Sequence, residues 1–533
     1  MKSMLLFFFA LFSFVHLNAQ DQNPKLVVGI VVDQMRPDYL SKFWDNYSDG
    51  GFKRMVREGF HCKNTHYDYA PTNTGPGHAS IFTGASPAIH GIPDNDSYNR
   101  YSGEQYYCAS DPDVQPVGGL NGSMSPHRLQ VTTISDELRI FNDFKSKSIG
   151  LSLKDRGAIF PAGHSGTAFW LNGPTFMTSS YYMPELPKWV EKFNEKETVK
   201  EYLSGKWEQV YPAEKYVFSE EHSQYEGKLG NVKAPRFPYD LAGTMDLVRN
   251  YELIKSTPFG NSVLVDFALE AIQNEELGKD SHPDMLCISF SSTDYIGHQY
   301  GTRAVEIEDC YYRLDKDLER LFQYLDKEVG KGEYTVFLTA DHGAAHNPGW
   351  LNSKKIPGGT INIKEIENEL DSLIDENWGN GDWIEYMSGN QVYLNHKELV
   401  EEKLLLRDAQ DHIMKLLLSL PNVERVYTAY HLTNGQMTDN IGERVQKGFN
   451  QKWGGDLFFL MRPHYFSGRN TGTTHGSAYI YDSHVPLLWM GNGVPHGETI
   501  EHIDITDIAP TLSFMLGINL PSGAYGDAID WNN

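Results

Sequence analysis

Lys25-Leu-Val-Val-Gly-Ile-Val-Val-Asp33 is a β-branched apolar run that stops at a carboxylate, and three later stretches are built the same way. Ser148-Ile-Gly-Leu-Ser-Leu ends at Lys154. Met285-Leu-Cys-Ile-Ser-Phe leads to Asp294, and Tyr334-Thr-Val-Phe-Leu-Thr-Ala leads to Asp341 and His342. Short apolar runs without polar alternation are the pattern of strands buried on both faces, as in a parallel sheet. From about Ala304 to Val329, Ile307, Leu314, Leu318, Leu321 and Leu325 recur at helical spacing, giving one apolar stripe to pack on that sheet. Strands alternating with helices predict an α/β layered fold, its central sheet mostly parallel and flanked by helices. Ligands of such folds bind beyond the carboxyl ends of the strands, where all four runs deliver their polar residues.

Two stretches break this rhythm. Roughly 161–240 is rich in Tyr, Trp, Phe and Pro, and roughly 346–455 mixes polar loops with a helix near Glu401 to Leu420. Both are expected to be insertions in one domain spanning 20–533, forming a cap beside the site. The chain opens with Lys2, an apolar stretch from Leu5 to Val15, and Leu17-Asn18-Ala19 before Gln20, the pattern of a signal peptide over 1–19. That stretch is shorter than the roughly 20 apolar residues a spanning helix needs. The mature protein is therefore expected to be periplasmic or secreted, without membrane insertion.

A formal net charge of −24 speaks against nucleic acid as a partner, but not against a small anion at a site with its own local cations. Four cysteines, Cys62, Cys108, Cys287 and Cys310, are too few and too scattered for a disulfide scaffold or a cysteine metal cluster. Export permits a Cys62–Cys108 pair. Cys287, inside an apolar run, reads as a buried thiol.

The candidate metal ligands are Asp33, Asp294, His298, Asp341, His342 and His475, three carboxylates and three imidazoles. That donor set suits zinc, with manganese, iron or cobalt as alternatives. In Asp294-Tyr-Ile-Gly-His298 the two donors are four apart, so one helical turn turns both to the same side. Alone, such a pair is as well explained by a surface contact. Asp341-His342-Gly343 says more, because it follows a buried strand directly. In Pro71-Thr-Asn-Thr-Gly-Pro-Gly-His-Ala-Ser80, Thr74 stands in a Gly/Pro turn before a helix, where backbone N–H groups favour an anion. Read alone, Thr74 serves equally well as a helix cap.

Together, and in this order, Asp33, the Thr74-Gly-Pro-Gly-His78 segment, Asp294 to His298, Asp341-His342 and His475 resemble the alkaline phosphatase superfamily over nearly the whole mature chain. Asp504-Ile-Thr-Asp-Ile-Ala-Pro-Thr-Leu512 through Pro521 resembles its final helix and tail. The chain is most similar to the phosphate-irrepressible periplasmic alkaline phosphatases, with a threonine nucleophile and a Lys-x-Arg pair matched by Lys154-Asp-Arg156. Asn95, in Gly91-Ile-Pro-Asp-Asn-Asp96, matches an asparagine that contacts a phosphoryl oxygen. The resemblance implies an alkaline phosphatase-like fold and two zinc ions, one held by Asp294, His298 and His475, the other by Asp33, Asp341, His342 and Thr74. It implies hydrolysis of small phosphate monoesters through a phosphothreonine intermediate, with Asn95, Lys154 and Arg156 binding substrate. A nucleotide pyrophosphatase or phosphodiesterase shares the metals, threonine and asparagine, but lacks a match to Lys154 and Arg156. An exported metal-binding protein without turnover is the alternative of another class. Sulfatases are disfavoured, since threonine cannot yield formylglycine and His78 stands where they place arginine.

Overall fold

The computed structural model describes residues 23–220, 223–230 and 234–531, so the expected leader at 1–19 lies outside the described residues. Each of the four apolar runs forms a strand, Leu26–Val32, Ser148–Ser152, Asp284–Phe290 and Tyr334–Thr339, and every residue of all four is buried. They lie side by side and parallel, in the order Tyr334–Thr339, Leu26–Val32, Asp284–Phe290, Ser148–Ser152. Register is even: Leu26 stands opposite Asp284 and Tyr334, and Val31 opposite Ser289 and Thr339. All four strands therefore stop together, and their following residues share one edge.

Among the described residues the sheet grows to 11 strands. His484–Gly491 joins antiparallel between Tyr334–Thr339 and Phe60–His66, which makes the sheet mixed rather than purely parallel. The helix Val305–Leu325 buries Ile307, Leu314, Leu318, Leu321 and Leu325, as its stripe predicts. Its other side is also covered. Asp309 accepts from Trp207 Nε1 and Val210 N–H at 2.7 Å and from Tyr216 OH at 2.5 Å, so a buried carboxylate ties the preceding insertion to the helix.

The insertion boundaries need correction. Thr167–Asn172 pairs parallel with Ser148–Ser152, and Thr175–Ser179 follows antiparallel, so the chain from 167 to 179 is central sheet. The aromatic residues there are core: the rings of Phe176 and Phe267 stack at 3.8 Å, and Phe169 meets Phe267 edge-on at 5.9 Å. The second excursion runs past 455, because Leu457–Met461 is a central strand of its own four-stranded sheet. Ile363–Trp378 and Leu406–Ser419 cover that sheet around a separate core containing Leu370, Ile374, Ile413, Leu417 and Phe459. It leans on the main body through Tyr98, stacked on Tyr386 at 4.4 Å, and Arg100, paired with Asp456 at 2.6 Å. The Cys62–Cys108 pair is not formed; all four cysteines are free, buried thiols. Among the described residues, no helix is long and apolar enough to cross a membrane.

Two histidines away from the site carry a pH prediction. Burial pushes His66 and His90 down to about 3, and the rings of His484 and His502, stacked on His66 at 4.5 and 5.2 Å, act in the same direction on it. Both are neutral in the fold, whereas in the unfolded chain they titrate near 6.5. Below that pH the unfolded chain takes up protons first, so stability falls as pH drops from about 6.5 towards 3. Each histidine contributes about 2 kcal/mol of loss between pH 7 and pH 5. His66→Gln is expected to shrink the Tm difference between those two pH values, measured calorimetrically. An unchanged difference would mean that His66 takes up its proton at the same pH in the fold as in the unfolded chain.

Candidate active site

Thr74 opens the buried helix Thr74–Thr83. It is not the cap. Asn73 holds that position in extended conformation, and its side chain donates to Asp94 Oδ1 at 2.6 Å, so the Thr74 hydroxyl makes no capping bond. Gly77 explains the spacing of the Thr-Gly-Pro-Gly segment: a Cβ there would lie 2.5 Å from the Asp341 carbonyl oxygen, so only glycine lets this helix approach the Asp341 loop. Asn95 Oδ1 accepts from the Gly75 N–H at 2.7 Å. With its oxygen committed, the Asn95 amide offers its NH2 group as a neutral donor.

The acidic and imidazole residues named from the sequence gather at the shared strand edge. Candidate ligand atoms of Asp33, Asp341 and His342 lie within 4.8 Å of one another, as do those of Asp294, His342 and His475. His342 therefore sits between the two groups instead of belonging to one. His298 is outside the second group by this distance, but its Nε2 is 3.1 Å from Asp294 Oδ1. Asp33, Asp294, Asp341 and His342 are buried, His475 is half-buried, and the exposed His298 packs its ring tilted against that of His475 at 5.1 Å.

Hydrogen bonds orient the imidazoles so that one nitrogen of each is free to act as a ligand. Nδ1 of His298 faces the Thr473 carbonyl at 2.8 Å, that of His475 the Thr72 carbonyl at 2.8 Å, and that of His342 the Gly343 carbonyl at 3.0 Å. A carbonyl only accepts, so each Nδ1 carries the proton and each Nε2 presents a lone pair. His342 Nε2, Asp33 Oδ1 and Asp341 Oδ2 are buried without a hydrogen-bond partner among the described residues. Three orphaned acceptors facing one another disfavour an apolar or water-free cavity and fit a cation. Burial, then the neighbouring Asp294 and Asp341, holds the Asp33 carboxyl well above the usual carboxylate range, and burial raises Asp341 to about 6. Burial pushes His342 down to about 3, which keeps it neutral.

Lys154 caps the helix Asp155–Ala162 and is buried. Its Nζ donates to Asp33 Oδ2 and Asp294 Oδ2, both at 2.7 Å, and lies 3.5 Å from Thr74 Oγ1. It thus bridges the two groups of ligands, deeper than a purely substrate-facing lysine would. Arg156 lies one residue beyond Asp155, its Nη1 3.0 Å from the Tyr107 hydroxyl.

Several supporting residues have roles that motif reading does not reveal. Gln34, at φ 64° in the left-handed region, donates its side chain to Asp294 Oδ1 at 2.6 Å and its backbone N–H to Asp341 Oδ1 at 3.1 Å. One strained residue thereby braces a carboxylate from each group. His78 links the Thr74 carbonyl to Ser289 Oγ at 2.8 Å on each side, and Thr293 Oγ1 donates to the Asp33 carbonyl at 2.5 Å. His78 closes the Thr-Gly-Pro-Gly-His segment, whereas for Gln34 only its position directly after Asp33 could have drawn notice.

The model of the type I phosphodiesterase / nucleotide pyrophosphatase family matches residues 27–483. Alkaline phosphatase PafA of Elizabethkingia meningoseptica is 44% identical over 529 residues, covering 96% of each chain. Alkaline phosphatase PhoV of Synechococcus elongatus is 41% identical over 95% of this chain and 92% of its own. A protein of Myroides odoratus named as a calcium-transporting ATPase is 43% identical over 97% of this chain and 96% of its own. The crystal structure of wild-type PafA superposes with a TM-score of 0.91 at 43% identity, over 95% of this chain and 98% of that one.

Proposed function

This chain belongs to the type I phosphodiesterase / nucleotide pyrophosphatase family, and within it we propose an exported alkaline phosphatase that hydrolyses phosphate monoesters with Thr74 as nucleophile. One observation carries the choice of monoesters. Lys154 and Arg156, two permanent cations from one strand-to-helix junction, stand at the Thr74 edge, with Lys154 Nζ 3.5 Å from Thr74 Oγ1. A terminal phosphoryl group carries up to two negative charges, and a diester only one, so paired cations favour the former. Export rests on the basic and apolar leader at 1–19.

Asp33, Asp341 and His342 would hold one divalent ion, with Thr74 beside it, and Asp294, His298 and His475 the other. Their donor chemistry favours zinc. Bound ions of this kind supply Lewis-acid stabilisation of the charge that develops at the oxygens of an in-line displacement. The side chains then divide the work. Arg156, Lys154 and the Asn95 amide hold the non-bridging oxygens and orient phosphorus towards Thr74. The Thr74 oxygen forms a new bond to phosphorus as the bond to the leaving oxygen breaks; the Thr74 hydroxyl proton passes to solvent and the leaving oxygen takes one up to give the alcohol. Water entering from the side the alcohol left then releases inorganic phosphate, and Thr74 regains its proton.

The family description includes diesterases, so the two activities are tested together. Arg156→Ala is expected to lower kcat/KM for an aryl phosphate by roughly 100-fold and for the matching diester by less than about tenfold. Equal losses would favour a diesterase. Release of phosphate from ATP does not separate a phosphatase from the activity in the Myroides odoratus relative's name, because the terminal phosphoryl group of ATP suits the same site.

A further inference from the structure

We infer that Tyr107, braced by Asp155, is a positioning residue that holds one arm of Arg156, aims its remaining edge at the phosphoryl group, and so sets the preference for monoesters. The inference rests on the role proposed for Arg156. The Tyr107 hydroxyl has one proton, and its partners leave one use for it: it donates to Asp155 Oδ1 and accepts from Arg156 Nη1 at 3.0 Å. The bonds thus run in one direction, from guanidinium to phenol to carboxylate, each strengthened by a charge at one end. Asp155 Oδ1 also accepts from the Arg156 backbone N–H at 2.5 Å, which locks the carboxylate in place. With Nη1 tethered, the Nε side of the guanidinium is left for ligand, and Nε is buried without a hydrogen-bond partner.

The hairpin explains why this tyrosine is the one used. Tyr107 ends the strand Glu104–Tyr107, which pairs antiparallel with Asp96–Asn99, so Tyr107 stands opposite Asp96, immediately after Asn95. The Cys108 N–H donates to the Asn95 carbonyl at 2.8 Å. One hairpin therefore sets both the neutral donor and the brace of the charged one. The brace has a competitor to resist. Burial raises the carboxyls of Asp94 and Asp96, and the nearby Arg156 charge opposes that rise, so an untethered guanidinium has carboxylates to turn towards.

The test uses the full-length enzyme with an aryl phosphate, its methyl diester and inorganic phosphate as inhibitor. Tyr107→Phe is expected to lower monoester kcat/KM about tenfold, weaken phosphate inhibition in proportion, and change diester turnover less than about twofold. Asp155→Asn, which keeps the phenol but weakens its acceptor, should shift both substrates in the same sense by less. In an Arg156→Ala background, Tyr107→Phe should alter monoester turnover less than about twofold. A full loss persisting in that background, or parallel losses on both esters, would overturn the positioning role. If Arg156→Ala abolishes the monoester preference but Tyr107→Phe preserves it, Tyr107 alone is excluded. If Arg156→Ala leaves the preference intact, the role of Arg156 fails, and this inference with it.

Discussion

Thr74→Ala is expected to lower kcat for an aryl phosphate by on the order of 10⁴-fold or more, because it removes the only oxygen the first displacement uses. The fold should tolerate the change. Thr74 is 1% exposed and is the first residue of its helix, yet its hydroxyl makes no capping bond, and alanine is a better helix former than threonine. Its hydroxyl lies 3.5 Å from Lys154 Nζ, which keeps two closer carboxylate partners at 2.7 Å. Tm should therefore move by a few degrees at most. Thr74→Ser keeps the oxygen and should recover a measurable part of the rate. If the alanine variant retained more than about a tenth of wild-type kcat, another group would have to be the nucleophile.

Removal of divalent metal is expected to cost as much activity, together with a loss of stability that Thr74→Ala does not share. Asp33 and Asp341 are fully buried beside one another and beside His342, and each offers an acceptor that no donor among the described residues satisfies. Without a cation, those groups retain their desolvation cost and repel one another. With zinc at a thousandfold excess over its Kd, binding adds about 4 kcal/mol of stability per site. Chelated protein should lose turnover and melt earlier, and zinc should restore both. Recovery of Tm without turnover would place metal in the fold but not in the reaction.

The central sheet was readable because burial on both faces leaves an uninterrupted β-branched run, and because the polar residue ending each run sits at the same height in a parallel sheet. Leu26–Val32 and Tyr334–Thr339 met both conditions. The same logic marked Asp33, Asp341 and His342 as candidate ligands, since carboxylates and imidazoles directly after buried strands have few other uses. It failed where aromatic richness was taken for a cap. Phe169, Trp170 and Phe176 are core residues of strands whose partner helix, Phe259–Asn274, lies about 90 positions later in the chain, beyond the reach of periodicity. The motif did not show that Lys154 also reaches between Asp33 and Asp294, contacts set by three strand ends far apart in sequence. Gln34 and Tyr107 had no motif to mark them. Their importance lies in where a side-chain amide and a phenol point, and that depends on the positive φ of one and the hairpin register of the other.

Anomalous diffraction at the zinc edge, on crystals grown with zinc, probes the arrangement most directly. Two peaks are expected. One should contact Asp33, Asp341, His342 and the Thr74 oxygen, and the other Asp294, His298 and His475, each through the imidazole Nε2. A single peak, or two with the Thr74 hydroxyl turned away from both, would contradict a pair of cations assembled around that oxygen.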